Sequence, residues 1–283
     1  MTGPPVDAVE RVVAAALAED LGSAGDVTSR AVVPAGARAT GEIVARERLV
    51  LAGLPVARAV FAAVDAAVHF EGLCRDGDLV DAGTAVARVR GDARAILAAE
   101  RTALNFLMRL SGIATAARAA TAEVQGTRAR ILDTRKTAPG LRAIDKYAVA
   151  AGGAENHRLG LYDAVLIKDT HLAVAGSIRD AVERARAAGH AADRITVEVA
   201  DLGGLDEAIA AGAGRALLDN LSVEQVRTAV RRAAGRIVLE ASGGLRPGAL
   251  RPYAETGVDF LSLGYLTHSS RAMDLALDLE IAP

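Results

Sequence analysis

Short apolar runs alternate with helical patterns along the second half of the chain. The runs occupy residues 131–133, 164–167, 195–199, 216–219, 237–240 and 260–263. The last four begin 21 to 23 residues apart, and residues 222–234 between two of them have the spacing of a helix that starts at Ser222. Strands that alternate with helices in this way form parallel sheets, whose strands are buried on both faces and therefore almost wholly apolar. The pattern predicts an α/β barrel.

Each of these runs contains, near its end, or is followed by charged or glycine-rich residues. They are residues 133–136, Lys168, Glu198, Asp219, residues 240–244 and Gly264. In α/β barrels the active site lies at the C-terminal ends of the strands, because those ends meet on one rim. We therefore expect cations, carboxylates and the Ser242-Gly243-Gly244 segment to share a rim. We expect that segment to open a helix whose backbone N–H groups bind a phosphate, with a plain tight turn as the alternative.

The first part of the chain has a mixed pattern. Residues 6–21, 55–66 and 95–110 have helical spacing, whereas residues 41–46, 68–71 and 85–89 have the pattern of strands. Helices and strands that do not alternate regularly are typical of α+β folds. We predict an α+β sandwich domain over residues 1–112, rejoined by residues 266–283, and a barrel domain over residues 113–265.

Composition and charge narrow the range of functions. The chain has 283 residues, 51% of them hydrophobic, a net charge of −2, four Phe, four Tyr and no Trp. Few aromatic rings and no basic excess lead us to expect no nucleic-acid partner. Acidic residues within 6–21, and the lack of any run of about 18 uncharged apolar residues, argue against a signal peptide and a membrane partner. With Cys74 as the only cysteine, no intrachain disulfide can form, and we expect a cytoplasmic protein.

Arginine greatly outnumbers lysine among the basic residues of the chain. Thirty of the 33 are Arg, and the three Lys are Lys136, Lys146 and Lys168, all within one short stretch. The lysine ammonium is a compact point charge that suits a phosphate or carboxylate. We therefore expect a functional role for Lys136 and Lys168, and an ordinary structural role for Lys146.

Longer blocks of sequence carry a resemblance to a known family. They cover residues 100–105, 111–115, 133–142, 152–161, 167–171, 218–220, 240–244 and 264–269. The most specific are Thr134-Arg135-Lys136-Thr137-Ala138-Pro139-Gly140 and His157-Arg158-Leu159-Gly160-Leu161. On these blocks the chain resembles the type II phosphoribosyltransferases that act on quinolinate. The chain departs from the family at Thr170, where the family usually has Asn. The threonine hydroxyl offers fewer hydrogen-bond donors than the asparagine amide, so the hydrogen bonds of this loop should differ.

The resemblance implies a fold, a reaction and an assembly. The implied fold is an α/β barrel, incomplete or irregular, with an N-terminal α+β sandwich domain. The implied reaction joins quinolinate to phosphoribosyl pyrophosphate and releases CO₂ and pyrophosphate, with Mg²⁺ as cofactor. The implied assembly is a homodimer, or a set of dimers, whose sites are shared across the interface.

The resemblance also implies roles for individual residues. Quinolinate would be bound by Arg135, His157, Arg158 and Lys168, together with Arg101 from a second copy of the chain. Phosphoribosyl pyrophosphate would be bound by Thr134, Lys136, Glu198, Asp219, Ser242, Gly243, Gly244, Leu263, Gly264 and Tyr265. Lys136, Glu198 and Asp219 would be catalytic, and the two acids would also hold Mg²⁺ through water. Arginine suits this substrate because its planar fork matches a carboxylate with two hydrogen bonds.

Ordinary structural roles are open for several of these residues. Glu198 and Asp219 could instead pair with a barrel Arg or Lys, His157 could pack in the core, and His171 could cap a helix or approach the pyrophosphate. Two other functions are also open. One is a phosphoribosyltransferase of the same fold with another pyridine or base as substrate, and the other is a non-catalytic sensor of phosphoribosyl pyrophosphate. The number of predicted carboxylate-binding cations favours a dicarboxylate substrate.

Overall fold

The structure is a computed structural model that describes residues 3–281, and of Ile281 it describes the backbone only. Contacts divide the chain into two compact units. The sheet unit holds the residues up to 118, residues 137–153 and the residues from 266 on, and the barrel unit holds residues 119–136 and 154–265. The predicted domains placed residues 113–118 and 137–153 in the barrel, whereas the contacts assign both segments to the sheet unit.

The sheet unit combines helices with short antiparallel strands, and all elements are numbered along the whole chain. Its helices are α1 (Val6–Leu21), α2 (Val27–Val32), α3 (Leu54–Val64), α4 (Ala93–Glu123) and α5 (Arg142–Ala151). Its strands are β1 (Arg38–Ala45), β2 (Leu49–Val50), β3 (His69–Gly72), β4 (Leu79–Val80), β5 (Ala85–Asp92) and β12 (Leu275–Ile281). Helix α4 continues past Arg118, so the boundary between the units falls within a helix.

A four-stranded antiparallel sheet organises this unit, in the order β12-β1-β5-β3. The C-terminal strand β12 pairs with β1, as the predicted return of residues 266–283 to this domain requires. Glu42 of β1 lies opposite Arg88 of β5, and their side chains form an ion pair of 2.7 Å. Opposite charges at facing positions favour this register.

The barrel unit alternates strands with helices. Its strands are β6 (Arg130–Leu132), β7 (Val165–Ile167), β8 (Ile195–Val199), β9 (Arg215–Asp219), β10 (Val238–Ser242) and β11 (Phe260–Ser262). Its helices are α6 (Asp169–Ala175), α7 (Ile178–Ala187), α8 (Leu202–Ala211), α9 (Val223–Ala233) and α10 (Leu250–Ala254), and a 3₁₀ turn covers Ala192–Arg194. The short helix α11 (Tyr265–His268) follows β11, and all of it except Tyr265 belongs to the sheet unit. Each strand coincides, within two residues, with one of the apolar runs in the sequence.

The six strands form one parallel sheet in the order β6-β11-β10-β9-β8-β7. Glu155 forms a parallel bridge with Leu132 on the outer side of β6, and within the described residues no pairing joins β6 to β7. The barrel is therefore open. The predicted fold, an incomplete α/β barrel with an N-terminal α+β sandwich, is confirmed.

The connections show one correct prediction and one wrong one. Ser222 caps α9, because its hydroxyl accepts a hydrogen bond from the Gln225 backbone N–H. The Gln225 side-chain oxygen in turn accepts a hydrogen bond from the Ser222 backbone N–H, which completes a capping box. The Ser242-Gly243-Gly244 segment does not open a helix. The chain continues without helical structure to Leu250, because both glycines have positive φ and a turn over Pro247 and Gly248 follows. Among residues 3–281, no helix is long and apolar enough to span a membrane.

Candidate active site

A cavity of about 630 Å³ lies at the carboxyl ends of the barrel strands. It is lined by predicted ligand-binding residues from six chain segments: Thr134, Arg135, Lys136, His157, Arg158, Lys168, Glu198, Asp219, Ser242, Gly243 and Gly244. The structure therefore brings together cations, carboxylates and the glycine turn on one rim. Their roles stay predictions.

Four predicted residues do not line this cavity. Arg101 is exposed on α4 in the sheet unit. Leu263 is buried behind the rim, where its N–H donates to the Leu132 carbonyl at 2.9 Å. Gly264 follows it, and Tyr265 begins α11, where burial raises the pKa of its phenol to about 12. The third lysine, Lys146, is buried in α5 of the sheet unit.

Two arginines of the cavity wall, Arg135 and Arg158, influence each other electrostatically. Arg158 donates from its guanidinium to the Ala164 carbonyl at 2.9 Å, while its Nε is buried and, among the described residues, has no hydrogen-bond partner. Burial and the nearby positive charge of Arg135 lower the pKa of Arg158 from its ordinary value. Two guanidinium groups that repel each other in the same cavity are stabilised by a ligand that carries more than one negative charge.

Each of the two strand-end acids has a protein side chain as its partner. Lys168 Nζ lies 2.6 Å from Glu198 Oε2, and the Glu198 side chain is only 14% exposed. Asp219 accepts a hydrogen bond of 2.8 Å from the Asn220 side-chain amide. The salt-bridge alternative for Glu198 thus holds here, and any ligand that takes either charge must compete with the pair. His171 has the capping role, because its Nδ1 accepts the Lys168 backbone N–H at 3.0 Å at the start of α6.

The glycine turn approaches Asn220 closely. Gly243 has a φ of +94°, and a Cβ built there would lie 2.3 Å from Asn220 Oδ1. The Asn220 backbone N–H also donates to the Ser242 carbonyl at 2.9 Å. Only glycine fits this position, because a side chain would clash and would also strain the backbone. The turn can therefore bring main-chain atoms close to a ligand.

Two buried carboxylates in this region, Asp133 and Glu240, lie in strand-end segments that the sequence predicted to share the rim, but neither was predicted to have a role of its own. Glu240 is fully buried, lines the cavity, and lies 3.1 Å from an Arg215 guanidinium nitrogen. Asp133, also fully buried, accepts the His157 backbone N–H at 2.7 Å. The alternation of strand side chains could have identified Glu240, since it lies two residues before Ser242 and so faces the same side of β10.

The chain matches the sequence models of both domains of one known family. The sequence model for the N-terminal domain of quinolinate phosphoribosyl transferase matches residues 26–111, and that for its C-terminal domain matches residues 113–278. The chain belongs to the quinolinate phosphoribosyltransferase family. The carboxylating nicotinate-nucleotide pyrophosphorylase of Mycobacterium leprae is 46% identical over 278 residues, which cover 96% of this chain and 98% of that protein.

Solved structures of relatives are similar to this structure over nearly their full length. The crystal structure of NadC from Streptococcus pyogenes has a TM-score of 0.95 and 37% identity, and the match covers 100% of both chains. The nicotinate-nucleotide pyrophosphorylase from Francisella tularensis has a TM-score of 0.91 and 37% identity, over 98% of this chain and 97% of that one. Members of this family are enzymes, so the cavity of the barrel unit is a candidate active site.

Proposed function

We propose that the chain transfers the phosphoribosyl group of phosphoribosyl pyrophosphate to quinolinate and releases CO₂. The products are nicotinate mononucleotide, which supplies NAD biosynthesis, and pyrophosphate. The observation that carries this proposal is the convergence of Arg135, Arg158 and Lys168 on one cavity with two strand-end carboxylates. The name of the Mycobacterium leprae relative, a carboxylating nicotinate-nucleotide pyrophosphorylase, supports the same reaction.

The cation cluster fits the pyridine dicarboxylate. Quinolinate carries two carboxylates on adjacent ring carbons, so it needs several cationic donors on one side. Arg135 and Arg158 would supply two planar forks, and Lys168 would add a point charge once it leaves Glu198. A monocarboxylate such as nicotinate would leave part of this charge unbalanced.

The opposite part of the rim fits the sugar diphosphate. Glu198 and Asp219, at the ends of β8 and β9, would face the ribose hydroxyls, and the turn around Gly243 would bind the 5′-phosphate through main-chain N–H groups. Lys136, which is exposed on the rim, would lie near the pyrophosphate. Its positive charge would stabilise the leaving group as that group gains negative charge.

The acids of the rim are compatible with Mg²⁺. Within residues 3–281, no three His, Cys, Asp or Glu side chains are grouped to hold a metal by themselves. Mg²⁺ commonly uses only one or two carboxylates and takes its other ligands from substrate phosphates and water. Glu198 and Asp219 meet that requirement. When bound, the ion would neutralise charge on the diphosphate.

The reaction then requires no covalent nucleophile from the protein. The ring nitrogen of quinolinate bonds to the anomeric carbon as the bond from that carbon to pyrophosphate breaks, and the sugar between them is cationic. Glu198 and Asp219 favour that positive charge. The new pyridinium nitrogen stabilises the electron pair left on the adjacent carbon when CO₂ departs, and a proton then takes its place. The protein orients the substrates and excludes water.

The proposal is tested by the release of CO₂ from quinolinate labelled in its 2-carboxyl group, with phosphoribosyl pyrophosphate and Mg²⁺. We expect turnover with quinolinate and little with nicotinate. Arg135→Ala should lower kcat/KM by about 100-fold or more, as expected for a lost positioning contact. Arg231→Ala removes an exposed arginine of α9 outside the cavity and is the matched control.

Other outcomes of this assay would identify a rival function. Turnover with nicotinate or another base, but not with quinolinate, would indicate a different transferase of the same fold. Binding of phosphoribosyl pyrophosphate without any product would indicate a sensor. Normal kinetics in Arg135→Ala would show that this residue does not bind the substrate, and would refute the proposed site.

We also propose that the enzyme is a homodimer with shared sites. Arg101 is exposed and lies outside the cavity, and Leu161, Tyr162 and Val174 of the barrel unit are 75%, 80% and 89% exposed, respectively. Large exposed apolar side chains that cluster along a segment are typical of interfaces. Arg101→Ala and Lys168→Ala, each inactive alone, should regain activity when subunits exchange. No recovery after verified exchange would contradict a shared site.

A further inference from the structure

Two buried acids hold the loop that carries His157 and Arg158. Asp133, directly after β6, accepts the backbone N–H of His157 at 2.7 Å. Glu240, on β10, has Oε1 at 3.5 Å from His157 Nε2, and both of these acids are fully buried. The loop is therefore fixed from two separate strands, through its main chain and through the imidazole ring.

The hydrogen bonds of His157 define the state of its ring. The Arg158 backbone N–H donates to His157 Nδ1 at 2.7 Å. A ring nitrogen that accepts a hydrogen bond carries no proton, so the proton of the neutral ring must be on Nε2. Nε2 is the nitrogen that faces Glu240. The geometry corresponds to the Nε2–H tautomer directed at a carboxylate.

Glu240 is itself held in place as an anion. Its second oxygen lies 3.1 Å from an Arg215 guanidinium nitrogen, and that guanidinium stacks over the Phe260 ring with its central carbon 4.6 Å from the ring centre. Burial alone would raise the pKa of Glu240, but the interactions with His157, Ser262 and Arg215 together outweigh it and lower the pKa. Glu240 thus remains charged although its side chain is fully buried.

We propose that Glu240 is a positioning residue that acts through His157. It holds the imidazole as the Nε2–H tautomer, and so fixes the main chain of His157 and Arg158 in the position that presents the Arg158 guanidinium to the substrate. The inference rests on the proposed function in one respect, namely that the substrate held by Arg158 is quinolinate. A carboxylate that fixes the tautomer of a histidine is also known as a general way to orient that ring.

The first test uses nuclear magnetic resonance and does not depend on activity. The chain has five histidines, and labelling them with ¹⁵N allows the two nitrogens of each ring to be distinguished. The signals of His157 are assigned by their loss in His157→Gln. At neutral pH we expect a protonated Nε2 and an unprotonated Nδ1 in the wild type, and a mixture of tautomers in Glu240→Gln. A His157 ring with the proton on Nδ1 in the wild type would overturn the proposal, even if the Glu240 variants do not fold.

The second test separates the two substrates kinetically. Glu240→Gln keeps the size of the side chain and removes its charge. We expect KM for quinolinate to rise about tenfold while KM for phosphoribosyl pyrophosphate stays unchanged, as for the loss of one buried polar contact. Glu240→Asp, which restores the charge, should recover part of the loss. Asp259→Asn is the matched control, because Asp259 pairs with Arg128 and accepts the Leu239 N–H in the same unit, outside the cavity.

Different outcomes would refute the role of Glu240 and the proposed reaction. Wild-type protein that releases no CO₂ from quinolinate would refute the function, while the tautomer measurement would still test Glu240. Active wild type with an unchanged KM in Glu240→Gln would refute the inference alone. An equal rise of both KM values, or the same rise in Asp259→Asn, would show that Glu240 acts only on the stability of the barrel.

Discussion

The ion pair between Lys168 and Glu198 makes an unusual prediction about substrate binding. Because Lys168 pairs with Glu198, quinolinate, if it binds to Lys168 as we propose, would have to compete with that carboxylate for the ammonium group. Glu198→Gln removes the competitor and leaves the cation available. We therefore expect this variant to bind quinolinate alone more tightly than the wild type, although it should lose turnover, because Glu198 is proposed to stabilise the cationic sugar.

The size of the effect follows from the geometry of the pair. At 2.6 Å, Coulomb's law gives about 1.6 kcal/mol in a medium like water and about 6 kcal/mol at an effective dielectric constant of 20. The Lys168 side chain is 44% exposed, so solvent screening and the loss of side-chain freedom reduce the net coupling to about 1 kcal/mol. That coupling corresponds to about a fivefold decrease in Kd for quinolinate.

Isothermal titration calorimetry of quinolinate binding, without phosphoribosyl pyrophosphate, measures this change. Asp219→Asn is the matched control, because it removes a carboxylate from the same cavity that bonds to an amide instead of a cation. In Lys168→Met, the additional change Glu198→Gln should have no effect. Binding that is unchanged or weaker in Glu198→Gln, or equally tightened in Asp219→Asn, would refute the argument.

Three further predictions concern single side chains of the barrel unit. Gly243→Ala would place a Cβ 2.3 Å from Asn220 Oδ1, so the turn would have to move. Because the turn is proposed to bind the 5′-phosphate, KM for phosphoribosyl pyrophosphate should rise at least about tenfold. An unchanged KM would contradict the binding role of the turn. Ser222→Ala removes the cap of α9 and should lower the free energy of unfolding by about 1 kcal/mol in urea titrations. Burial raises the pKa of Tyr265 to about 12. The protonated phenol therefore stabilises the fold at pH values below its ordinary pKa of about 10, and this stabilisation is lost as the pH rises through 12. The tyrosinate absorbance of Tyr265→Phe should therefore equal that of the wild type up to about pH 11.

The positions of the barrel strands could be predicted because helix-covered parallel strands leave a simple signal. Each is a short apolar run that ends in a polar residue, and Lys168, Glu198 and Asp219 are such ends. Residues at equivalent ends of parallel strands meet in space. The convergence of cations and acids on one rim was therefore visible in the sequence before any contact was known.

Other features depend on tertiary contacts that the sequence pattern does not contain. No role was predicted for Glu240, because a carboxylate inside an apolar strand is tolerated only when it is paired, and its partner Arg215 is distant in sequence. The segment 137–153 was assigned to the barrel because it lies between barrel strands in the sequence, yet its contacts are in the sheet unit. The turn at Gly243 was expected to begin a helix, but two successive positive φ values direct the chain elsewhere.

The scarcity of lysine has a consequence for the chemical reactivity of this protein. Of the three ε-amines in the chain, those of Lys136 and Lys168 line the cavity, and that of Lys146 is buried. Reagents that acylate or carbamylate amines would find few side-chain targets on the outer surface. Such modification should inactivate the enzyme almost stoichiometrically, and bound substrate should protect it.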